Sequence, residues 1–218
     1  MTGRDERGAL HVRSIRTLLA DYLAAHRGGP FAFKPPSGAR SEKVPFDERP
    51  GHIRAAIERF RTTVPRPSIA SLDARLTEIG FPGRSWVDAE QEFDGDDAEL
   101  ADIGRRLAHD AADSVPLLVG LALMRGRADR RDIGDLGILA MHPYEPGRSA
   151  IAILAGLPGS TGELRRLASI PGDEVIRIRA VSALCDRPEA VPWLLRNGLT
   201  GPDDWSGNAL RVAAAVDL

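Results

Sequence analysis

The stretch "DEVIRIRAVSALCDRPEAVPWLL", residues 173–195, decides how this chain folds. An aspartate opens it, and Ile178, Val181 and Leu184 follow at helical spacing with Ala180 and Ala183 beside them. The Asp186–Pro188 turn then leads straight into a further apolar run. A solitary amphipathic helix would say little about function, whereas one unit of a repeat would point to a binding surface.

Reading outward favours the repeat. "DLGILAMHP" at 135–143 aligns with "ELRRLASIP" at 163–171, setting Leu136 over Leu164, Leu139 over Leu167 and Ala140 over Ala168 at a spacing of 28. A third copy, "PWLLRNGLTGP" at 192–202, brings Leu195 and Pro202 into register at a spacing of 31. After each proline comes a second helix, at 147–157, 174–185 and 206–216. In these helices Ile151, Ile178 and Leu210 correspond, as do Leu154, Val181 and Ala213, then Leu157, Leu184 and Val216. A fainter unit precedes them at 100–124. One helix pair cannot bury its own apolar stripe, but stacked pairs share a continuous core. The expectation is an all-α protein, an α-α superhelix of stacked pairs over 97–218. Leu136, Leu139, Leu164, Leu167, Ile178, Val181 and Leu184 are its predicted buried residues.

These residues resemble the short bacterial HEAT-like repeats, whose second helix reads Asp-x-x-Val-Arg-x-x-Ala-x-x-Ala-Leu. Asp173, Ile176, Arg177, Ala180, Ala183 and Leu184 fit that pattern. The other copies depart from it, with Ala150 and Ala209 in place of Arg177 and Pro146 in place of Asp173. The C-terminal stretch is also similar to actinobacterial HEAT-repeat proteins, a family that brings no activity with it. The resemblance implies a helical solenoid that binds another protein. HEAT-like DNA glycosylases and HEAT-like phycobilin lyases leave two alternatives open, nucleic-acid binding or repair and enzyme maturation.

Residues 1–96 form a separate N-terminal helical region. Leu10, Ile15, Leu18, Leu19, Tyr22 and Leu23 share one helical stripe within 10–26, ended by Gly28-Gly29-Pro30. Residues 27–50 are rich in Pro, Gly and charge, a long loop for a compact domain. Phe31, Phe33 and Phe46 suggest that parts of it are pinned to the core. Helices follow near 51–62 and 68–79, then a short one near 85–93 and another over 97–109. Gly80 suits a left-handed helix end. Phe81 and Trp86 read as hydrophobic plugs. "DGDDAE" at 94–99 has calcium-loop ingredients, but Arg105 stands where the twelfth-position acid would be needed. Helix capping is the better reading of that cluster.

Composition narrows the chemistry. The chain has 218 residues and a net charge of −2, and lysine occurs only at Lys34 and Lys43 among 29 basic residues. Residues 1–70 carry 13 Lys/Arg against 7 Asp/Glu, the remainder 16 against 24. The acidic remainder argues against a nucleic-acid groove in the repeats, and the arginine bias matches a GC-rich genome. No apolar run suits a membrane span or a signal peptide, so the chain reads as cytoplasmic. Cys185 is the single cysteine, which excludes an internal disulfide and a zinc cluster, and it reads as a packing residue. His11, His26, His52, His109 and His142 show no metal-ligand spacing, and His142 reads as packed. His109 with Asp110 and Asp113 reads as a helix end, and Asp96-Asp97 and Asp203-Asp204 as helix caps. "PPSGARSEK" at 35–43 lacks the Walker spacing, and no nucleophile elbow or dinucleotide fingerprint occurs. No catalytic residue, metal or cofactor is therefore assigned.

The sequence points to a protein-binding scaffold. Arg179 and Arg211 hold equivalent repeat positions off the apolar stripe, Ser182 and Asp186 continue that flank, and Arg148 lies nearby. These five are the candidate contact residues for a protein partner. The final helix, "NALRVAAAVDL" at 208–218, is apolar on more than one face, which suggests self-association or packing against a further repeat.

Overall fold

The computed structural model describes residues 13–25, 44–88, 96–170, 173–198 and 208–216, the first three of the last segment as backbone only. Among them it is all-α, with no strand. Leu10, His11, His26, Phe31, Phe33, residues 35–43, Asp203-Asp204 and the side chain of Leu210 lie outside the described residues.

Helix α1 (Ile15–Ala25) buries Ile15 and Leu19 against α5 (Asp97–Asp110) and α7 (Ile133–Leu139). Arg16 holds it there, donating to Asp135 of α7 at 2.6 and 2.8 Å. Helices α2 (Arg49–Thr62) and α3 (Ile69–Ile79) pair through Ile53, Ile57, Phe60, Leu72 and Leu76. Ser68 caps α3, and Gly80 ends it at φ 87°, as its position predicted. Helix α4 (Arg84–Asp88) buries Trp86 and Val87 in the same core; residues 89–93, expected to continue it, are outside the described set. Phe46 is not a core residue. It is 59% exposed, its ring lying against Gly83 with the Arg49 guanidinium 5.5 Å from its centroid. A surface cation–π contact replaces the expected burial.

Asp96 caps α5 by accepting from the Ala98 amide at 2.8 Å, the role expected of that acidic cluster. Helix α6 (Ser114–Met124) is buried at every position from Pro116 to Met124 because it lies between two cores. One core joins it to α2, α3 and α4, the other to α1 and the helices that follow. Glycines make this sharing practicable. A Cβ on Gly120 would lie 2.8 Å from the Gly104 carbonyl oxygen, and one on Gly104 would lie 2.9 Å from the Gly120 carbonyl oxygen. The two backbones therefore meet where neither helix carries a side chain.

Three further pairs follow: α7 with α8 (Glu145–Gly156), α9 (Thr161–Ala168) with α10 (Glu174–Cys185), and α11 (Val191–Asn197) with α12 (Asn208–Ala215). The second helices touch in series, α6 to α8 to α10 to α12, and α7 touches α9. Leu136, Leu139, Leu164, Leu167, Val181 and Leu184 are all buried. Glu163 of α9 fills the space that a Cβ on Gly137 of α7 would need, and Arg166 donates to the Gly137 carbonyl at 3.3 Å.

Two register expectations fail. Ile178 is 38% exposed, because the buried arc of α10 runs through Ile176, Arg177, Ala180, Val181, Ala183 and Leu184. Leu195 is 59% exposed, and Leu194 is buried in its place. A 3-10 turn over Pro188–Ala190 sets the start of α11, so the unit spacing is 30 from Leu164 to Leu194.

Candidate protein-binding groove

Helices α8 and α10 lie side by side, and their small residues leave a channel between them. On α8, Arg148, Ile151, Ala152 and Ala155 stand at i, i+3, i+4 and i+7, one face of the helix. On α10, Arg179, Ser182 and Asp186 form the facing row, with Ile178 and Ala183 beside it. The groove between the rows is open to solvent and encloses about 420 Å³, with Arg211 of α12 at its edge. Alanine at 152 and 155 keeps the floor low, and Ile178, 38% exposed, faces the same groove. All five residues singled out from the sequence, Arg148, Arg179, Ser182, Asp186 and Arg211, line this one groove.

Local backbone chemistry fixes both walls. Pro146 occupies the first turn of α8, where no amide partner is lost. Gly147 is needed next to it, since a Cβ there would fall 1.9 Å from the His142 carbonyl oxygen. Asp173 starts α10 by accepting from the Ile176 amide at 2.9 Å.

The charges along the groove are unequal. Arg148 donates through Nη2 to both Asp88 oxygens at 2.8 and 2.7 Å and through Nε to Glu145 at 2.8 Å. Arg84 of α4 also donates to Glu145, at 2.9 Å. Arg125 also lies 3.8 Å from Asp88, so this end is closed by three guanidiniums sharing two carboxylates. Arg179 is half-buried and meets no carboxylate at ion-pair distance among the described residues. Burial lowers its pKa. Arg211 is exposed and donates to the neutral Ser182 hydroxyl. Asp186 is exposed at the far rim.

The remaining sequence candidates fall into structural roles. Cys185 packs half-buried beside the groove, and burial pushes its thiol pKa up, with Asp186 adding to the effect. It is thus poorly suited to act as a nucleophile. His142 is fully buried, its pKa lowered to about 4 by burial, and its Nδ1 accepts from the Tyr144 amide at 3.3 Å. His109 pairs with Asp110 at 2.7 Å, while Asp113 turns away to cap α6 through the Val115 amide. Among the described residues no group of three or more His, Cys, Asp or Glu is placed to hold a metal. No helix among them is long and apolar enough to cross a membrane.

Three features were invisible in the sequence. Asp88 and Glu145 neutralise Arg148, but Asp88 is 60 positions away. Asp73, in a cavity of about 280 Å³ beside Asp110 and Ala112, has its carboxyl pKa raised to about 6 by burial and then by Asp113. Its neighbours come from the α5–α6 turn, so no local pattern marks it. The third is a polar seam in which Arg187 donates to the Leu154 and Ala155 carbonyls at the end of α8.

No family model matches the chain, and neither does any curated protein or any solved structure. The geometry is therefore the ground for a functional reading. It offers an apolar floor, rim cations and no paired nucleophile and base, an arrangement suited to binding.

Proposed function

We propose that this chain is a cytoplasmic protein-binding scaffold built from stacked helix pairs of the HEAT-like kind, with the α8–α10–α12 groove as its binding face. One observation carries the reading: five polar residues, spaced over three successive second helices, converge on one groove whose floor is apolar. The serial contacts of α6, α8, α10 and α12 support the stacked-pair part. Exposed apolar surface rimmed by polar groups is a common mark of protein interaction sites. Self-association through α12 has weaker support, since Val212 is buried and Val216 packs half-buried against the core.

The test is site-specific photocrosslinking in the source cell. A photoreactive residue replaces Asp186 at the groove rim or, as control, exposed Ala74 on α3. The expected result is a discrete adduct from position 186 only, whose protein, once purified, binds the wild-type chain and fails to bind an Arg179→Glu, Arg211→Glu variant. Identical adducts from both positions, or none from 186, overturn the reading.

A further inference from the structure

We propose that the groove takes a peptide segment of a partner protein in which a carboxylate stands next to an apolar side chain. The carboxylate sits between Arg179 and Arg211, and the apolar side chain lies on the Ala152–Ala155 floor. This deepens the scaffold reading and rests on it.

The argument begins with placement. Arg179 and Ser182 are three positions apart on α10 and share a face, and Arg211 of α12 reaches the Ser182 hydroxyl. Two guanidiniums from different helices therefore flank one neutral hydroxyl. Their neighbours differ: Arg148 and Arg84 are ion-paired to Asp88 and Glu145, with Arg125 sharing Asp88. Among the described residues, Arg179 and Arg211 are thus the groove guanidiniums with no carboxylate at ion-pair distance, Asp186 being the one carboxylate that lines the groove with them. Glu145 and Asp173 act on half-buried Arg179 only from beyond ion-pair distance, so burial outweighs them and lowers its pKa. A ligand carboxylate supplies the missing partner, in a geometry a planar guanidinium favours.

The floor fixes the second half of the motif. Ile151, Ala152, Ala155 and Ile178 form an apolar strip immediately beside the two guanidiniums. A ligand that is only anionic would leave that strip wet, and one that is only apolar would leave Arg179 unmatched. A nucleic-acid strand fits less well. Its phosphate run would meet Asp186 and the carboxylate-paired Arg148, and among the described residues no aromatic side chain lines the groove for base stacking.

Fluorescence polarisation with the full chain tests this. The probes are fluorescein-labelled peptides repeating Leu-Glu-Glu-Leu, the same peptide with Gln or Lys for Glu, and a labelled oligothymidylate. The Glu peptide is expected to bind saturably and roughly tenfold or more tighter than the Gln peptide, with no binding of the Lys peptide. Arg179→Gln with Arg211→Gln should reduce the Glu peptide to the affinity of the Gln peptide. Ala152→Trp should weaken both by filling the floor. The Glu-against-Gln comparison uses unaltered protein, so it decides even if a variant misfolds. Equal binding of Glu and Gln peptides overturns carboxylate selection, as does a Glu preference that survives in the double variant. Tighter binding of oligothymidylate, or no saturable binding of any peptide, also overturns the proposal. A specific adduct from position 186 in the crosslinking experiment would still stand in those cases, so failure of the motif is separable from failure of the scaffold reading.

Discussion

The Nη2 of Arg187 lies 3.0 Å from the carbonyl oxygen of Leu154, thirty-three positions earlier in the chain. The same nitrogen donates to the Ala155 and Leu157 carbonyls at 2.8 and 2.9 Å, and Nη1 donates to the Thr161 hydroxyl at 2.7 Å. The Leu154 carbonyl also accepts from the Leu157 amide at 3.1 Å and the Leu157 carbonyl from the Ser160 amide at 3.3 Å, and this end of α8 carries the negative end of its dipole. A cation from the α10–α11 turn therefore closes the end of the preceding second helix and ties two helix pairs together.

Arg187→Ala should lower stability by roughly 1–3 kcal/mol, since it takes the side-chain donor from the Ala155 carbonyl and breaks the tie to Thr161. Arg187→Lys should recover only part, because an ammonium cannot reproduce the fork of donors. Urea unfolding followed by circular dichroism measures both, and equal stability of wild type and Arg187→Ala would refute the role.

The α5–α6 crossing gives a second expectation. Gly120→Ala places a Cβ 2.8 Å from the backbone of Ala108 and Gly104, so the helices must part at an expected cost of about 1–3 kcal/mol. Gly134 of α7 has nothing within 4 Å of where its Cβ would stand. Gly134→Ala should instead stabilise by about 0.4–1 kcal/mol through the unfolded chain. Thermal melts of the two variants should move in opposite directions.

Val181 and Ile178 separate core from groove on a single helix. Val181 is fully buried, so Val181→Asp should cost several kcal/mol, on the order of 4 or more, or prevent folding. Ile178→Asp, at a position 38% exposed, should cost about 1 kcal/mol or less. A large loss of melting temperature in Ile178→Asp would show that the groove wall is part of the core.

Buried His142 and half-buried Asp73 should pull stability in opposite directions as pH falls. His142 has its folded pKa lowered from 6.5 to about 4, so the unfolded chain binds the proton first. Its contribution is present above pH 6.5 and is lost as pH falls toward 4, on the order of 2–3 kcal/mol. Asp73 is the reverse: its folded pKa, raised to about 6, makes it destabilising above pH 6 and relieves that cost as pH falls toward 3.8. Asp73→Asn should therefore stabilise at pH 7.5, on the order of 1 kcal/mol after solvent screening, and have little effect at pH 3.5. His142→Gln should flatten the loss between pH 6.5 and 4. Denaturant titrations across this range read both slopes.

Apolar spacing alone reveals the helices, their pairing and most of the buried leucines, because a helix must turn one stripe away from water wherever it packs. The acid at 173 and the serine at 68 announce helix starts for an equally local reason: a cap bonds to amides two or three residues away. The five groove residues were legible as a flank, since Arg179, Ser182 and Asp186 share one face of a single helix. What lies across the flank was not legible. That Ile178 shares a groove with Ala152 and Ala155 of another helix, and that Arg148 is held by Asp88 of α4, are set only when those helices pack. The phase of α11, which exchanges Leu195 for Leu194, depends on a 3-10 turn that leaves no periodic trace. Burial, charge pairing and depth are properties of the space between elements. That space exists only once distant segments have packed, so the tertiary structure alone decided which guanidiniums of this protein remain unmatched.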